Sequence, residues 1–245
     1  MPPASVNNPP MNPSHRALVD VLHTLENAAR VAGRPSGVRL LAVAKTQPAA
    51  AIADLFAAGQ RAFGENYVQE AMARQAELGP VAARIEWHLI GHLQSNKARD
   101  AAELFDWVQT VDRPKLVAAL AQHRASTRPP LNLLIQVNID DEASKHGCRP
   151  DAVAMLADAI ATQPRLALRG LMAIPAPHAD PESRRPAFRH MKQLFDGLAA
   201  RHPRIDTLSM GMSDDYPIAI EEGATMVRVG TALFGARPSK TEAEQ

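Results

Sequence analysis

The segment 132–139, which reads NLLIQVNI, alternates its side chains with a period of two residues, the period of a β-strand. One face of this strand is wholly apolar and carries Leu133, Ile135, Val137 and Ile139. The opposite face is mostly polar and carries Asn132, Leu134, Gln136 and Asn138. In a β/α barrel, outward-facing apolar side chains pack on helices while inward-facing side chains fill the interior. The segment therefore predicts a barrel strand, with Asn138 near the C-terminal mouth of the barrel.

Similar strand patterns recur along the chain and alternate with longer Ala- and Leu-rich segments of helical period. This alternation is typical of βα units and a mostly parallel sheet. The predicted strands are 39–44, 62–65, 86–90, 107–111, 132–139, 168–174, 207–210 and 226–229. The predicted helices between them are 48–58, 67–78, 96–104, 114–125, 150–162, 184–201 and 216–222. Eight strands fit a single parallel β/α (TIM) barrel of the α/β class, and an open doubly wound sheet is the alternative.

A further helix precedes the first strand. Ser14 is a suitable N-cap for a helix that runs to about Val31, and Gly33 and Pro35 end it. Its apolar stripe consists of Leu18, Val21, Leu22, Leu25 and Ala28. A chain of 245 residues is a common length for one such barrel. The predicted organisation is a disordered Pro/Asn-rich arm at 1–13, one barrel domain at 14–236 and a polar tail at 237–245.

The composition excludes several classes of protein. A net charge of +1 provides no basic field for nucleic acid. Because no run of about 18 apolar residues occurs and the N-terminal arm has no apolar signal segment, we expect neither a membrane span nor secretion. Cys148 is the single cysteine, and we interpret it as an inert buried side chain of a cytoplasmic protein. The nine histidines show no metal-ligand spacing, so no metal site is predicted.

Lys45 ends an apolar predicted strand and therefore lies at the predicted barrel mouth. Functional groups of such barrels collect at the C-terminal ends of the strands. Desolvation there favours the free amine over the ammonium, and a free amine can attack an aldehyde to form a Schiff base. The alternative is a solvated lysine that only caps the end of the strand.

Two predicted strand-to-helix turns are rich in small and hydroxyl-bearing residues, at 209–213 (SMGMS) and 228–231 (RVGT). Backbone N–H groups and hydroxyls in such turns can bind a phosphate, and barrel enzymes often bind phosphate after strands seven and eight. Ser213 has the alternative role of an N-cap. Arg228 alternates with valines and so points inward, where either a structural carboxylate or an acceptor on a ligand can satisfy it.

Two further polar residues are ambiguous at this level. Asn66 either caps the helix that follows it or donates a hydrogen bond to a ring substituent of a ligand. His88 is expected to be a hydrogen-bonded interior histidine, with an acid or base as the alternative. No residue is assigned a catalytic role.

Six segments, in order, carry a family resemblance. They are 42–46 (AVAKT), 63–70 (FGENYVQE), 88–97 (HLIGHLQSNK), 170–175 (GLMAIP), 209–214 (SMGMSD) and 227–235 (VRVGTALFG). With these motifs the chain resembles the pyridoxal phosphate homeostasis protein family (YggS/PROSC-like), which shares the barrel fold of alanine racemase. The resemblance covers about residues 38–235.

The resemblance implies a barrel that holds pyridoxal 5'-phosphate as a Schiff base, without established turnover, in intracellular vitamin B6 and amino-acid homeostasis. On this basis Lys45 matches the Schiff-base lysine, and Arg228 matches the arginine that meets the pyridine nitrogen. The other implied cofactor contacts are Asn66, Met210, Gly211, Ser213, Gly230 and Thr231. The chain departs from the family pattern at Ala44, where members often carry Ser, and at His146, within a motif often written Lys-Ser-Gly. The second departure leaves Lys145 without a firm cofactor role.

Three functions compete: a cofactor-binding protein, an amino-acid racemase, and an aldolase that uses Lys45 without a cofactor. In the resembled racemases a tyrosine from an additional C-terminal domain supplies the second base. The only tyrosines here, Tyr67 and Tyr216, lie in no such element, and an arginine beside the ring nitrogen leaves the ring a poor electron sink. We therefore favour binding. The expected partners of this monomer are small amino acids and apo-enzymes that use pyridoxal phosphate.

Overall fold

The computed structural model describes residues 12–34, 37–142 and 145–235. Its core is a closed barrel of eight parallel strands in sequential order, in which the first strand also pairs with the eighth. The strands are β1 (Arg39–Val43), β2 (Ala62–Glu65), β3 (Glu86–Leu89), β4 (Trp107–Val111), β5 (Leu131–Gln136), β6 (Leu166–Met172), β7 (Thr207–Ser209) and β8 (Met226–Val229). Closure confirms the predicted TIM barrel and excludes the open sheet.

Helices surround the barrel where the amphipathic segments predicted them. They are α1 (Pro13–Val31), α2 (Ala49–Ala57), α3 (Val68–Leu78), α4 (Ala98–Leu104), α5 (Pro114–His123), α6 (Val153–Ala161), α7 (Arg185–Ala199), α8 (Tyr216–Glu221) and α9 (Thr231–Phe234). Short 3₁₀ turns at Ser95–Lys97 and Pro150–Ala152 replace the predicted first turns of α4 and α6. Within the described ranges, none of the helices combines the length and the apolar character needed to cross a bilayer.

The extra N-terminal helix is present, but its cap differs from the prediction. Asn12, not Ser14, is the N-cap, because its side-chain oxygen accepts a hydrogen bond from the Ser14 N–H at 3.0 Å. Leu22, which the pattern placed in the buried stripe, is 37% exposed and lies at its edge. Most of the predicted disordered arm and the whole polar tail lie outside the described residues, although Asn12 and Pro13 begin α1.

The predicted division of β5 into two faces is confirmed. Leu133 and Ile135 pack outward in the large core between strands and helices. Leu134 points inward and packs with Trp107 and Met172 inside the barrel. The strand ends earlier than predicted, at Gln136, since only a single bridge joins Val137 to Cys148 beyond it. The predicted residues 138 and 139 therefore lie in the turn that follows the strand.

Candidate functional site

Strand ends at the C-terminal side of the barrel surround a cavity of about 460 Å³. This volume lies in the range of small-molecule sites, roughly 300–1,000 Å³. Six residues predicted to contact a cofactor lie on its wall: Lys45, Asn66, Ser213, Arg228, Gly230 and Thr231. The wall also contains residues to which the sequence gave no cofactor role, namely Val43, Ile90, Gly91, His92, Gln136, His146, Ile174, Met212 and Asp214.

Lys45 lies in the turn between β1 and α2, and the backbone of that turn is unusual. Thr46 has φ of 65°, in the left-handed region that β-branched residues rarely adopt. The Thr46 hydroxyl donates to the carbonyl of Lys45 at 2.6 Å. A side chain from α3 supports the turn, because Arg74 Nε donates to the Gln47 carbonyl at 2.6 Å. The turn is therefore held in a strained conformation beside the cavity, as is common at functional sites.

A buried carboxylate holds Arg74 in turn. Arg74 donates from Nη1 to Glu65 Oε1 at 2.8 Å, and the Glu65 side chain is wholly buried at the end of β2. Burial raises the pKa of Glu65 to about 7, the nearby Glu70 also raises it, and the Arg74 charge opposes the rise. Among the described residues, Glu65 Oε2 has no hydrogen-bond partner, which agrees with a carboxyl that is readily protonated.

The turn between β7 and α8 carries Ser213, and a buried aspartate shapes it. Asp215 occupies the N-cap position of α8, so the alternative that Ser213 is the cap is wrong. Asp215 accepts from the Met212 N–H at 2.6 Å and from Arg184 Nη1 at 2.5 Å. Asp215 is 1% exposed and Arg184 is 8% exposed, so this ion pair is buried. The Ser213 hydroxyl is thus not needed to cap the helix.

The next turn, between β8 and α9, places Gly230 and Thr231 on the same cavity wall. Gly230 occupies the N-cap position of α9, and Thr231 is the first helical residue. Two turns with a hydroxyl each therefore line one side of the cavity. This arrangement is able to bind a phosphate.

Asn66 lies directly after β2 and faces the cavity. Tyr67, not Asn66, is the N-cap of α3 and makes no side-chain capping bond, so the capping alternative for Asn66 is wrong. The loop after β3 packs closely on it: a Cβ on Gly91 would lie 2.0 Å from the Asn66 carbonyl oxygen. Only glycine at position 91 permits this approach, which fixes Asn66 on the wall.

Arg228 points into the barrel from β8 while its flanking valines lie in the outer core, as the alternation predicted. Its Nη1 donates to Ser209 Oγ and its Nη2 to the Ala173 carbonyl, both at 2.8 Å. Burial lowers the pKa of Arg228 to about 10, and the charge of Asp215 opposes this, so the guanidinium stays protonated at neutral pH. These bonds use two of the five N–H donors of the guanidinium. Arg228 also lies on the cavity wall.

A chain of hydrogen bonds continues from Arg228 through the barrel interior. Ser209 Oγ donates to Gln109 Oε1 at 2.8 Å, and Gln109 Nε2 donates to His88 Nδ1 at 2.9 Å. The other ring nitrogen of His88 lies 2.7 Å from Glu86 Oε1. Burial lowers the pKa of His88, so we assign a neutral ring with its proton on Nε2. The predicted hydrogen-bonded interior histidine is confirmed.

The chain ends at the opposite, N-terminal side of the barrel. Glu86 there accepts from Arg39 Nη2 at 2.5 Å. Burial opposes ionisation of this carboxyl, but the hydrogen bond from His88 and the charge and hydrogen bond of Arg39 lower the pKa of Glu86 to about 2. A cationic side chain at the mouth is thus linked to an anionic one at the floor.

Two predicted cofactor contacts are not brought to the cavity wall. Met210 is wholly buried in the outer core, and Gly211, with φ of 90°, packs against α8 and is not among the residues of the cavity wall. The Gly211 carbonyl accepts from the Arg228 N–H at 3.0 Å, so it supports the arginine rather than the cavity surface. Lys145 lies within 3.6 Å of Asp140 and 3.4 Å of Glu142, and it does not line the cavity.

The strand ends also bring together residues that the sequence did not connect. Gln109 and Ser209 meet inside the barrel although 100 positions separate them. His92, Asp112 and His146 cluster at the rim. Each of these three residues follows a predicted strand, and this common position is the signal in the sequence that identifies them together.

Comparison with known proteins places the chain among well-defined relatives. The model of the family "alanine racemase, N-terminal domain" matches residues 18–238. The pyridoxal phosphate homeostasis protein of Pseudomonas aeruginosa is 51% identical over 221 residues, a match that covers 90% of this chain and 94% of that protein. The protein of the same name from Escherichia coli K12 is 51% identical over 231 residues, covering 93% of this chain and 98% of that protein.

Solved structures agree with this grouping. PipY of Synechococcus elongatus PCC7942 with PLP bound is 37% identical, has a TM-score of 0.79, and is matched over 91% of this chain and 100% of its own. Alanine racemase of Corynebacterium glutamicum is 19% identical with a TM-score of 0.62. That match covers 91% of this chain but 62% of the racemase, and it shows a shared fold.

Proposed function

The chain belongs to the alanine racemase N-terminal domain family and, within it, to the pyridoxal phosphate homeostasis proteins, and on this premise we propose that it binds pyridoxal 5'-phosphate in the cavity at the barrel mouth. The observation that carries the proposal is the presence on one cavity wall of Lys45, Arg228 and the two hydroxyl-bearing turns. The proposed role of the protein is intracellular vitamin B6 and amino-acid homeostasis, without catalytic turnover.

The donors on the wall fit the parts of this cofactor. The cofactor supplies an aldehyde, a phosphate and a conjugated ring that can accept electrons. Ser213, Gly230 and Thr231 present hydroxyls and backbone N–H groups suited to the phosphate. Asn66, on the same wall, is the proposed donor to a ring substituent. Gly211 is proposed to support the site indirectly, through the hydrogen bond that its carbonyl accepts from the Arg228 N–H, and Met210 is buried in the outer core without a direct contact. The residues present therefore fit the group.

Lys45 is the residue that we propose to hold the aldehyde covalently. With the cofactor bound, the Lys45 amine would supply the nitrogen of a C=N bond to the aldehyde carbon, with the aldehyde oxygen released as water. The strained, Arg74-supported turn keeps Lys45 at the wall. Arg228 is the proposed partner of the ring nitrogen. Because its guanidinium stays protonated, it donates a hydrogen bond without transferring a proton, and the ring remains a weak electron sink.

Absorbance spectra, borohydride reduction and peptide mapping test this proposal. The protein should show a visible band that borohydride removes, and the reduced cofactor should map to the peptide that contains Lys45. Lys45→Ala should lose the reducible band, whereas Lys192→Ala, on α7 and away from the cavity wall, should keep it. A reducible band retained in Lys45→Ala would overturn the role of Lys45, and dialysis of the same variant measures cofactor binding separately.

Amino-acid racemisation is the second candidate function, because the racemases share this fold. Racemisation ordinarily needs acid–base groups on both faces of the substrate carbanion. The described residues that line the cavity include no tyrosine, since Tyr67 is 62% exposed outside it and Tyr216 packs in the outer core. Incubation of L- and D-alanine in D₂O should therefore give no Cα deuteration above that of free cofactor. Rapid exchange, near the ~10 s⁻¹ typical of enzymes, would favour the racemase.

We further propose that the protein is a cytoplasmic monomer. Its proposed partners are small amino acids and pyridoxal phosphate-dependent apo-enzymes. Cys148 supports a reducing compartment. Burial raises the pKa of its thiol to about 12, so the thiolate needed for disulfide chemistry is scarce at neutral pH.

A further inference from the structure

Three potential metal ligands meet at the rim of the cavity, on the side away from the phosphate-binding turns. His92 lies in the turn after β3, Asp112 directly follows β4, and His146 lies in the loop after β5. Their ligand atoms all lie within 4.8 Å of one another. Separations of 20 and 34 residues along the chain conceal this cluster, which is why the histidine spacing predicted no metal site.

The carboxylate of the cluster is oriented by a neighbour. Arg113 Nη1 donates to Asp112 Oδ1 at 2.5 Å, and its Nη2 donates to the Leu93 carbonyl at 2.8 Å. The second oxygen, Asp112 Oδ2, lies 3.8 Å from His92 Nδ1. Hydrogen bonds of this kind commonly fix metal-ligating carboxylates. Asp112 is therefore held with one oxygen directed at the histidines.

The two imidazoles lie face to face, with ring centroids 3.8 Å apart and planes inclined by 14°. Neutral imidazole is the form that ligates metals. Both histidines are exposed, so their rings are able to turn about the Cβ–Cγ bond and direct their nitrogens at a common point.

We propose that His92, Asp112 and His146 form a binding site for a zinc-like divalent transition-metal ion at the rim of the cavity. Two imidazole nitrogens and one carboxylate oxygen are a ligand set typical of zinc, and they leave a coordination position open. Mg²⁺ and Ca²⁺ prefer oxygen ligands and are disfavoured here. His146 departs from the serine of the related motif, so the site is a property of this chain.

Calorimetric titration of the metal-stripped, tag-free protein with Zn²⁺ tests the proposal, and visible absorbance during titration with Co²⁺ gives a second readout of the ligand set. Neither measurement uses pyridoxal phosphate, so the outcome is independent of the proposed function. We expect one ion per chain, with a Co²⁺ spectrum typical of nitrogen and oxygen ligands and no competition from Mg²⁺.

Variants separate the rim site from adventitious binding. His146→Ser, in an exposed loop, and His92→Gln should each weaken Zn²⁺ binding at least about 10-fold. Loss of a residue that only supports a metal ligand already lowers metal affinity by about this factor. His190→Ser, on the exposed face of α7, is the matched control and should bind as the wild type does. Equal Zn²⁺ affinity in wild type and His146→Ser would overturn the proposal, as would an equal loss in His190→Ser.

Discussion

The two sides of the cavity are built in opposite ways. On one side, the turns that carry Lys45 and Ser213 are held by the partly buried Arg74 and the buried Asp215. On the other side, the rim histidines are exposed and contact each other through a ring stack. The same barrel thus offers a rigid wall and an adaptable one, although both are made from loops after parallel strands.

This contrast indicates which part of the cavity wall determines ligand specificity and which part tolerates sequence variation. Groups predicted to hold the constant parts of a cofactor lie on backbone that hydrogen bonds to the Glu65–Arg74 and Asp215–Arg184 pairs fix in position. The exposed rim, by contrast, tolerates replacement with little structural cost, since surface substitutions usually change stability by about 0.5 kcal/mol or less. New chemistry at this site is therefore expected at the rim.

The largest effect on stability is expected when the buried support of the Ser213 turn is removed. Asp215→Ala leaves Arg184 as an uncompensated buried charge and removes the acceptor for the Met212 N–H. We expect a loss of about 3–5 kcal/mol in the free energy of unfolding. Urea denaturation followed by circular dichroism measures it. Asp196→Ala, which breaks an exposed pair with Lys192, is the control and should cost about 0.5 kcal/mol or less. Similar losses of stability in both variants would contradict the claim that a buried ion pair holds the Ser213 turn.

A second test concerns the support behind Lys45. Because burial raises the pKa of Glu65 from 4.5 to about 7, the folded protein retains a proton that the unfolded chain releases in this range. Glu65 should therefore lower stability progressively as the pH rises from about 5 to 8, by up to about 3 kcal/mol.

The Glu65→Gln variant isolates this effect, since it cannot titrate yet keeps an acceptor for Arg74. Unfolding free energies of wild type and variant, measured at pH 5 and pH 8, give two differences between the proteins. The wild type should lose stability relative to the variant on going to pH 8. If the two differences are equal, Glu65 does not carry a raised pKa.

The smallest expected effect is on cofactor binding and comes from the hydroxyl groups of Ser213 and Thr231. Replacing Ser213 and Thr231 together with Ala should weaken pyridoxal phosphate binding by on the order of 1–3 kcal/mol, because charge-assisted hydrogen bonds to the phosphate are lost. Equilibrium dialysis measures the dissociation constant. Replacing Ser126 and Thr127 with Ala, in an exposed loop between α5 and β5, makes the same chemical change away from the cavity and should have no effect. Unchanged binding in the first variant would remove these hydroxyls from the phosphate site.

Local patterns were sufficient to predict the fold and the position of Lys45. The alternation in β5 and the apolar run before Lys45 depend on neighbouring residues alone, and the structure reproduces both. The predicted strand boundaries failed where pairing with a neighbouring strand decides the end, as at Gln136. The capping roles considered for Ser213 and Asn66 failed for a related reason, because the adjacent residues take those positions once the turns fold.

The parts of the site that the sequence did not predict depend on contacts across the barrel. The contact of Gln109 with Ser209 depends on side chains from strands that are not neighbours in the sheet. No periodicity within one segment encodes such a contact. The placement of Met210 was accessible, however: it alternates with Ser209, which points inward, so strand geometry alone directs its side chain to the helices.

The hydrogen-bond chain through the barrel also constrains how this protein can evolve. Its donors all point the same way, from Arg228 through Ser209 and Gln109 to His88, so one replacement leaves a buried neighbour unpaired. Such a loss typically costs about 1–3 kcal/mol. A change at one of these four positions becomes tolerable when the next position changes with it. They should therefore be inherited as a set, while a rim position such as His146 is able to drift alone.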